Sequence, residues 1–230
     1  VLKLEAITLM QDWFELTADF EIKDGARVAV IGPSGAGKST LLAALAGFLP
    51  LTSGKLMWND TEISMAAPDA RPIAMLFQDN NLFPHLSISQ NVGLGLRSNL
   101  RLSSDEKQRV ATALDRVGLG GFGSRKPAQL SGGQQSRAAL ARVMVQNRPL
   151  VLLDEPFAAL GPALKAEMLD LVGELLQETG ASLMMVSHDP QDALHVADQT
   201  VLVADGCASA PMPTVELLRN PPPSLKAYLG

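Results

Sequence analysis

Gly32-Pro33-Ser34-Gly35-Ala36-Gly37-Lys38-Ser39 has the spacing G-x-x-x-x-G-K-S, and it sits between an apolar run, Ala26 to Ile31, and a helix-like stretch that starts at Lys38. Glycines let a backbone wrap a phosphate with its N–H groups facing inward. A helix beginning near Lys38 adds the positive end of its dipole. In this context the pattern reads as a nucleotide phosphate loop. Lys38 is expected to reach the β- and γ-phosphates and the Ser39 hydroxyl to hold Mg²⁺, with Thr40 in the same binding segment.

Three further positions follow apolar runs in the same way. Asp154-Glu155 comes directly after Leu150 to Leu153. An acid at a strand end beside a phosphate loop is the usual second Mg²⁺ anchor, so Asp154 is assigned to the metal shell. Adjacent side chains at a strand end point in different directions, and Glu155 is assigned to polarising the attacking water. His188 lies just past Ser182 to Ser187 and Gln78 just past Ile73 to Phe77. His188 is expected to donate to the γ-phosphate and help hold the water. Gln78 is expected to contact Mg²⁺ and the water, and so to sense the γ-phosphate. His85 and His195 lack such placement and read as ordinary.

Leu130-Ser131-Gly132-Gly133-Gln134 lies about a hundred residues after the phosphate loop. Ser131 suits the N-cap of a helix from Gln135 to Gln146, and the glycines are expected to leave that helix start bare. A bare helix start is an anion site, yet the chain already has one at Gly32. A symmetric head-to-tail pair resolves this, with Ser131, Gly132, Gly133 and Gln134 of each copy closing on the ATP of the other.

The elements that must position these residues alternate. Strands are expected within 2–31, at Lys55–Trp58, Ile73–Phe77, Leu150–Leu153, Ser182–Val186 and Thr200–Ala204. Helices are expected at Lys38–Phe48, through much of 87–146, and at Ala163–Thr179. Within the helical stretch, Ser103-Ser-Asp-Glu106 fits a capping box, and Val110, Leu114 and Val117 share one face. The Pro-rich tail reads as short, loosely packed helices. Such alternation argues for an α/β fold with a mostly parallel sheet, in which ligands bind beyond the carboxyl ends of the strands. Gly32, Gln78, Asp154 and His188 all point to that edge.

Composition narrows the class. A net charge of −5 without a block of Lys and Arg argues against a nucleic-acid partner. The one cysteine, Cys207, cannot form an internal disulfide, which suits a reducing compartment. The apolar stretches fall short of the ~20 residues that span a bilayer, and no signal peptide is evident. The expectation is a soluble, cytosolic chain whose membrane role would come through a partner.

The order of phosphate loop, Gln78, Leu130–Gln134, Asp154-Glu155 and His188 resembles the nucleotide-binding subunits of ATP-binding-cassette (ABC) transporters, over essentially the whole chain. The resemblance implies a P-loop NTPase (RecA-like) core in one nucleotide-binding domain, residues 1–230. A small antiparallel β subdomain is expected at about 1–30 and 50–65, and an inserted helical subdomain at about 86–146. It implies ATP and Mg²⁺, a homodimer that closes on ATP and reopens on hydrolysis, and a peripheral site on the cytoplasmic face of the inner membrane. An integral-membrane permease and, through the complex, a periplasmic substrate-binding protein would be the partners. Met75–Ser87 and Gln90–Leu96 are similar to the thiamine-importing branch of the family. In the family this stretch faces the membrane subunits, and Leu82, Phe83 and Pro84 fit a docking patch within Asn80–His85. The alternatives are an importer ATPase for a polyamine, metal or anion, and a non-transport cassette ATPase driving a mechanical or assembly complex.

Three positions depart from the family pattern. The adenine-stacking aromatic near the N-terminus is assigned to Trp13, with Phe14 beside it and Gln11 the other occupant of the equivalent place. Ala158-Ala159-Leu160-Gly161 stands where the family usually reads Ser-Ala-Leu-Asp, so a carboxylate that links the two ATP sites is missing. Gln134-Gln135-Ser136-Arg137 carries one cation fewer than the family's Gln-Arg-Gln-Arg.

Overall fold

The computed structural model describes residues 1–11 and 13–229. Its elements in chain order are β1 (Leu2–Gln11), β2 (Phe14–Ile22), β3 (Arg27–Ile31), α1 (Lys38–Ala46), β4 (Ser53–Trp58), β5 (Thr61–Glu62) and β6 (Ile73–Leu76). There follow α2 (Ile88–Gly93), α3 (Ser104–Arg116), α4 (Gly132–Met144), β7 (Leu150–Asp154), α5 (Pro162–Thr179), β8 (Ser182–Val186) and α6 (Pro190–Val196). The chain ends with β9 (Gln199–Ala204), β10 (Cys207–Ala208), β11 (Met212–Pro213), α7 (Thr214–Arg219) and α8 (Pro223–Leu229). It forms two compact units, one of Val1–Ile73, Pro149–Asp154 and Gly180–Gly230, the other of Ala74–Arg148 and Glu155–Thr179.

In the first unit the sheet runs β5-β4-β1-β2-β10-β9-β3-β8-β7. β1 and β2 form an antiparallel hairpin, with Leu2 opposite Ile22 and Gln11 opposite Phe14. Their alternation buries Leu2, Leu4, Leu16, Ala18 and Phe20 on one side, as a half-covered antiparallel sheet requires. The strands β9, β3, β8 and β7 are parallel. They are near-continuous apolar runs such as Val28-Ala-Val-Ile31 and Leu150-Val-Leu-Leu153, all buried. That composition suits strands covered on both faces.

α1 ends at Ala46 rather than Phe48, because Gly47 takes a left-handed C-cap (φ 90°) and its N–H turns back to Ala43 and Ala44 carbonyls. The guanidinium of Arg71 closes this end. It donates to Ala44 O at 2.8 Å, Leu45 O at 2.7 Å, Ser64 O at 2.9 Å and Ala66 O at 2.9 Å. Desolvation lowers the pKa of this buried group. The tail expected as helices alone also contributes β10 and β11, which pair with β9.

In the second unit, α3 carries the capping box between Ser103 and Glu106. Its Val110 and Leu114 join Ile88, Val92, Leu130 and Ala138 in one apolar cluster. The stretch expected to be mainly helical resolves into α2, α3 and α4 separated by loops. Gly133 sits where α4 meets α5, and a Cβ there would strike the Leu164 side chain.

Candidate active site

The phosphate loop leaves β3 at Ile31 and re-enters regular structure at Lys38. Gly37 is the N-cap of α1, in the left-handed region at φ 97°, with no side chain capping the helix. Only glycine fits there on two counts. The φ disfavours any Cβ, and a Cβ would run into the ring of Phe14. The first turn of α1 therefore presents its backbone donors without a competing side-chain acceptor. Within the loop, Ser34 and Gly35 are exposed and Pro33 and Ala36 half-buried.

Lys38 is 5% exposed. Its ammonium donates to Gly32 O and Pro33 O, both at 2.8 Å, so it draws the loop closed. One residue on, Ser39 Oγ donates to Asp154 Oδ1 at 2.9 Å. Asp154 is the last residue of β7 and is 7% exposed. Registry explains why these meet. Asp154 lies opposite Val186 of β8, and Val186 opposite Val30 of β3. The chain segments carrying Gly32, Asp154 and His188 thus leave one edge of three neighbouring parallel strands.

His188 is exposed just beyond β8. Its turn is fixed from below. Buried Ser187 donates to the carboxylate of buried Asp192 and accepts the N–H of Asp189 at 3.0 Å. Asp189 in turn caps α6 through the N–H of Gln191 at 2.9 Å.

Gln78, Glu155 and Ser131 to Gln134 belong to the second unit. Glu155 is half-buried with φ 47°, a conformation costly for a residue with a Cβ. Gln78 is exposed in the loop after β6. Ser131 is the N-cap of α4, which starts at Gly132 and ends at Met144 rather than running from Gln135 to Gln146. Ser131 Oγ accepts from Gln134 N at 3.3 Å, and Gln134 Oε1 accepts from Ser131 N at 3.0 Å, a full capping box. Gly132 faces open space, and its N–H and that of Gly133 remain as donors of the first turn.

Trp13 is 95% exposed at the β1–β2 turn, and the neighbouring Phe14 is the aromatic that touches the phosphate loop. The structure adds a contact of Phe14 with Gly37 that the sequence did not show, and residues that it did not single out: Asp192 behind His188 and two clamps on the Gln78 loop. Arg142 donates to Asn81 O at 2.6 Å and Asn80 O at 2.7 Å. Asn91, fully buried, accepts from Phe83 N at 2.7 Å and donates to Phe83 O at 3.1 Å. An Asn on the apolar side of a short amphipathic helix was the available signal for the second.

Among the described residues no group of three or more His, Cys, Asp or Glu could hold a metal. The Ser39 hydroxyl and Asp154 carboxylate are instead a small, hard oxygen pair beside a phosphate-binding helix, a donor set that fits Mg²⁺ with phosphate oxygens and water completing it. No helix among the described residues is long and apolar enough to cross a membrane.

A family model described as "ABC transporter" matches residues 17–158. The thiamine import ATP-binding protein ThiQ of Ruegeria sp. (strain TM1040) is 58% identical over 230 residues, all of both chains. The protein of the same name from Cereibacter sphaeroides is 55% identical over 230 residues, again all of both chains. Among solved structures, the dimeric post-hydrolysis state of the ATP-binding cassette MJ0796 bound to ADP and Pi superposes with a TM-score of 0.80 at 29% identity. It covers 93% of this chain and 99% of that one.

Proposed function

The chain belongs to the ABC transporter family, and from that premise we propose that it is the ATP-hydrolysing subunit of a bacterial thiamine importer. The observation that carries the chemical part is the Ser39–Asp154 hydrogen bond at the mouth of the phosphate loop. It joins the hydroxyl that follows Lys38 to the acid that ends β7, the pairing that triphosphate and Mg²⁺ binding requires. Full-length likeness to ThiQ proteins supports the cargo.

In this reading the loop amides of Gly32 to Thr40 cradle the β- and γ-phosphates, and Lys38 exchanges its two carbonyl partners for phosphate oxygens. Ser39 and Asp154, with Gln78, would hold Mg²⁺, which supplies charge neutralisation across the phosphates. Glu155 accepts the proton of the attacking water. His188 donates to the γ-phosphate from a turn that Ser187 and Asp192 keep in place. Trp13 covers the adenine. Ser131 to Gln134 act on the ATP of a second copy, so the working unit is a homodimer.

The permease docks at Asn80–His85. Leu82 and Phe83 line a groove of about 500 Å³ there, together with Met75, Phe77, Leu94 and Arg142. The subunit is peripheral on the cytoplasmic face of the inner membrane, and a substrate-binding protein joins through the complex. The test is uptake of labelled thiamine by cells lacking this chain, with wild type or Glu155→Gln supplied back. Restoration by wild type alone supports cargo and hydrolysis together. Uptake that never depended on the chain would remove thiamine as the cargo.

A further inference from the structure

The loop from Phe77 to Ser87 carries Gln78 at its start and the docking residues Leu82 and Phe83 at its middle, and two side chains from neighbouring helices grip it. Asn91 of α2 holds the far end, donating to the carbonyls of Phe83, Leu86 and Ser87 at 3.1 to 3.3 Å. Arg142 of α4 holds the near end by a fork on two successive carbonyls, Asn80 O and Asn81 O.

Those two carbonyls belong to consecutive left-handed residues, Asn80 at φ 55° and Asn81 at φ 46°. Arg142 reaches both carbonyls, so they face the same way, and although Asn tolerates positive φ better than most residues, two in succession carry a cost that an outside restraint offsets. A guanidinium supplies it, because its planar donors match a pair of acceptors in a way that an ammonium does not. The turn also leaves Asn80 Oδ1 buried without a hydrogen-bond partner, the sole such side-chain atom among the described residues. Its amide donates to Ser136 of α4 at 3.3 Å. The bonds from Ser136 and Arg142 both come from α4, whose N-cap is Ser131, so α4 holds this turn. Arg142 is half-buried, and desolvation lowers its pKa.

We propose that Arg142 is a positioning residue for hydrolysis: its fork on Asn80 and Asn81 fixes the turn that aims Gln78, and ties that turn to the helix that begins at Ser131. The inference rests on the reading of Gln78 as a γ-phosphate contact. Because Arg142 also lines the docking groove, the same fork passes a shift of Leu82 and Phe83 to Gln78.

The test compares Arg142→Lys, Arg142→Met and Gln78→Ala in the purified full chain, by ATPase kinetics and thermal melting. Arg142→Lys keeps the charge and stem but loses the fork. It is expected to lower kcat about tenfold with KM for ATP within about twofold and the melting temperature close to wild type. Adding Asn81→Gly, which adopts the left-handed turn without a restraint, is expected to recover part of kcat in the Arg142→Lys background. A role in helix packing alone would not respond to that glycine. Should Arg142→Met fail to fold, the Lys and Lys-plus-Gly pair still decides the matter. Wild-type kcat in Arg142→Lys beside a depressed kcat in Gln78→Ala overturns the positioning role and leaves the reading of Gln78 intact. Wild-type kcat in Gln78→Ala overturns both.

Discussion

Ser131→Asp separates the two jobs that Ser131 holds. The first is local: its hydroxyl accepts Gln134 N at 3.3 Å while Gln134 Oε1 accepts Ser131 N at 3.0 Å. Asp is about as good an N-cap as Ser, and its charge gains ~0.3–1 kcal/mol from the helix dipole. The melting temperature should therefore hold or rise by a few degrees, since about 1 kcal/mol moves a domain of this size by ~2–4 °C. The second job is proposed, closing on the γ-phosphate of a partner copy. There the new carboxylate meets a phosphate oxygen. One pair of unit charges about 4 Å apart at an effective dielectric near 20 is worth about 4 kcal/mol. That is roughly a thousandfold in the affinity of each ATP-bridged contact, before the countercharge of Lys38 and Mg²⁺ on the phosphates is set against it.

The assay is ATP-dependent dimerisation by analytical ultracentrifugation in a Glu155→Gln background, alongside steady-state ATPase without it. Ser131→Asn is the control, a cap of equal quality without the charge. The expected pattern is a stable Ser131→Asp monomer at saturating ATP, with hydrolysis depressed at least a hundredfold below the Asn variant. Ser131→Ala should show the opposite separation, losing about 1 kcal/mol of stability. If Ser131→Asp dimerises and turns over like Ser131→Asn, Ser131 is a helix cap and nothing more.

Glu155→Gln should bind ATP, lose turnover by roughly 10²–10⁴-fold as expected for removal of a general base, and run as a dimer on size-exclusion chromatography with ATP. A monomer at saturating ATP would count against the sandwich. Gly161→Asp should raise the ATPase rate by restoring the carboxylate that links two sites. A Cβ there meets nothing within 4 Å, and Gly161 O already accepts Lys165 N at 2.9 Å as an N-cap carbonyl does, so an unchanged rate would refute the coupling idea rather than signal misfolding. Arg71→Met should cost about 3 kcal/mol in urea unfolding, because four backbone carbonyls lose a charged donor. A loss under about 1 kcal/mol would show that water replaces it.

The phosphate loop was legible because three independent signals coincided: glycine spacing, a preceding apolar run and a following helix. Asp154 was legible from its place at the end of Leu150–Leu153, and the Ser103–Glu106 cap from a four-residue pattern. β10 and β11 were not, since two paired residues carry no period. Nor were the arginine clamps. Arg71 reaches carbonyls 27 and 26 residues away, and Arg142 carbonyls 62 and 61 away. Periodicity reports which face an element buries, but a bond from a long side chain to a distant carbonyl leaves no trace in it. At Ser131 the residue type pointed to the cap and missed Gln134 as its reciprocal acceptor, although the spacing is the same as at Ser103. Gly133 has a packing requirement as well, the approach of Leu164, which sequence spacing does not show.

One of the four points at which the chain passes between the two compact units is the peptide bond between Asp154 and Glu155. Everything assigned to holding the triphosphate, from Gly32 to Thr40 with Asp154 and His188, lies on the first side. Glu155, Gln78 and Ser131 to Gln134, proposed to act on the water, the metal and the ATP of a second copy, lie on the other. Glu155, with φ 47°, immediately follows the buried end of β7. Arg142 then acquires its significance from location. It sits on α4, which begins at Ser131, it grips the loop that bears Gln78, and it lines the groove proposed for the permease. On the proposed roles of those three segments, one guanidinium links them through bonds that lie within the second unit, which is why Arg142→Lys should lower kcat without moving KM.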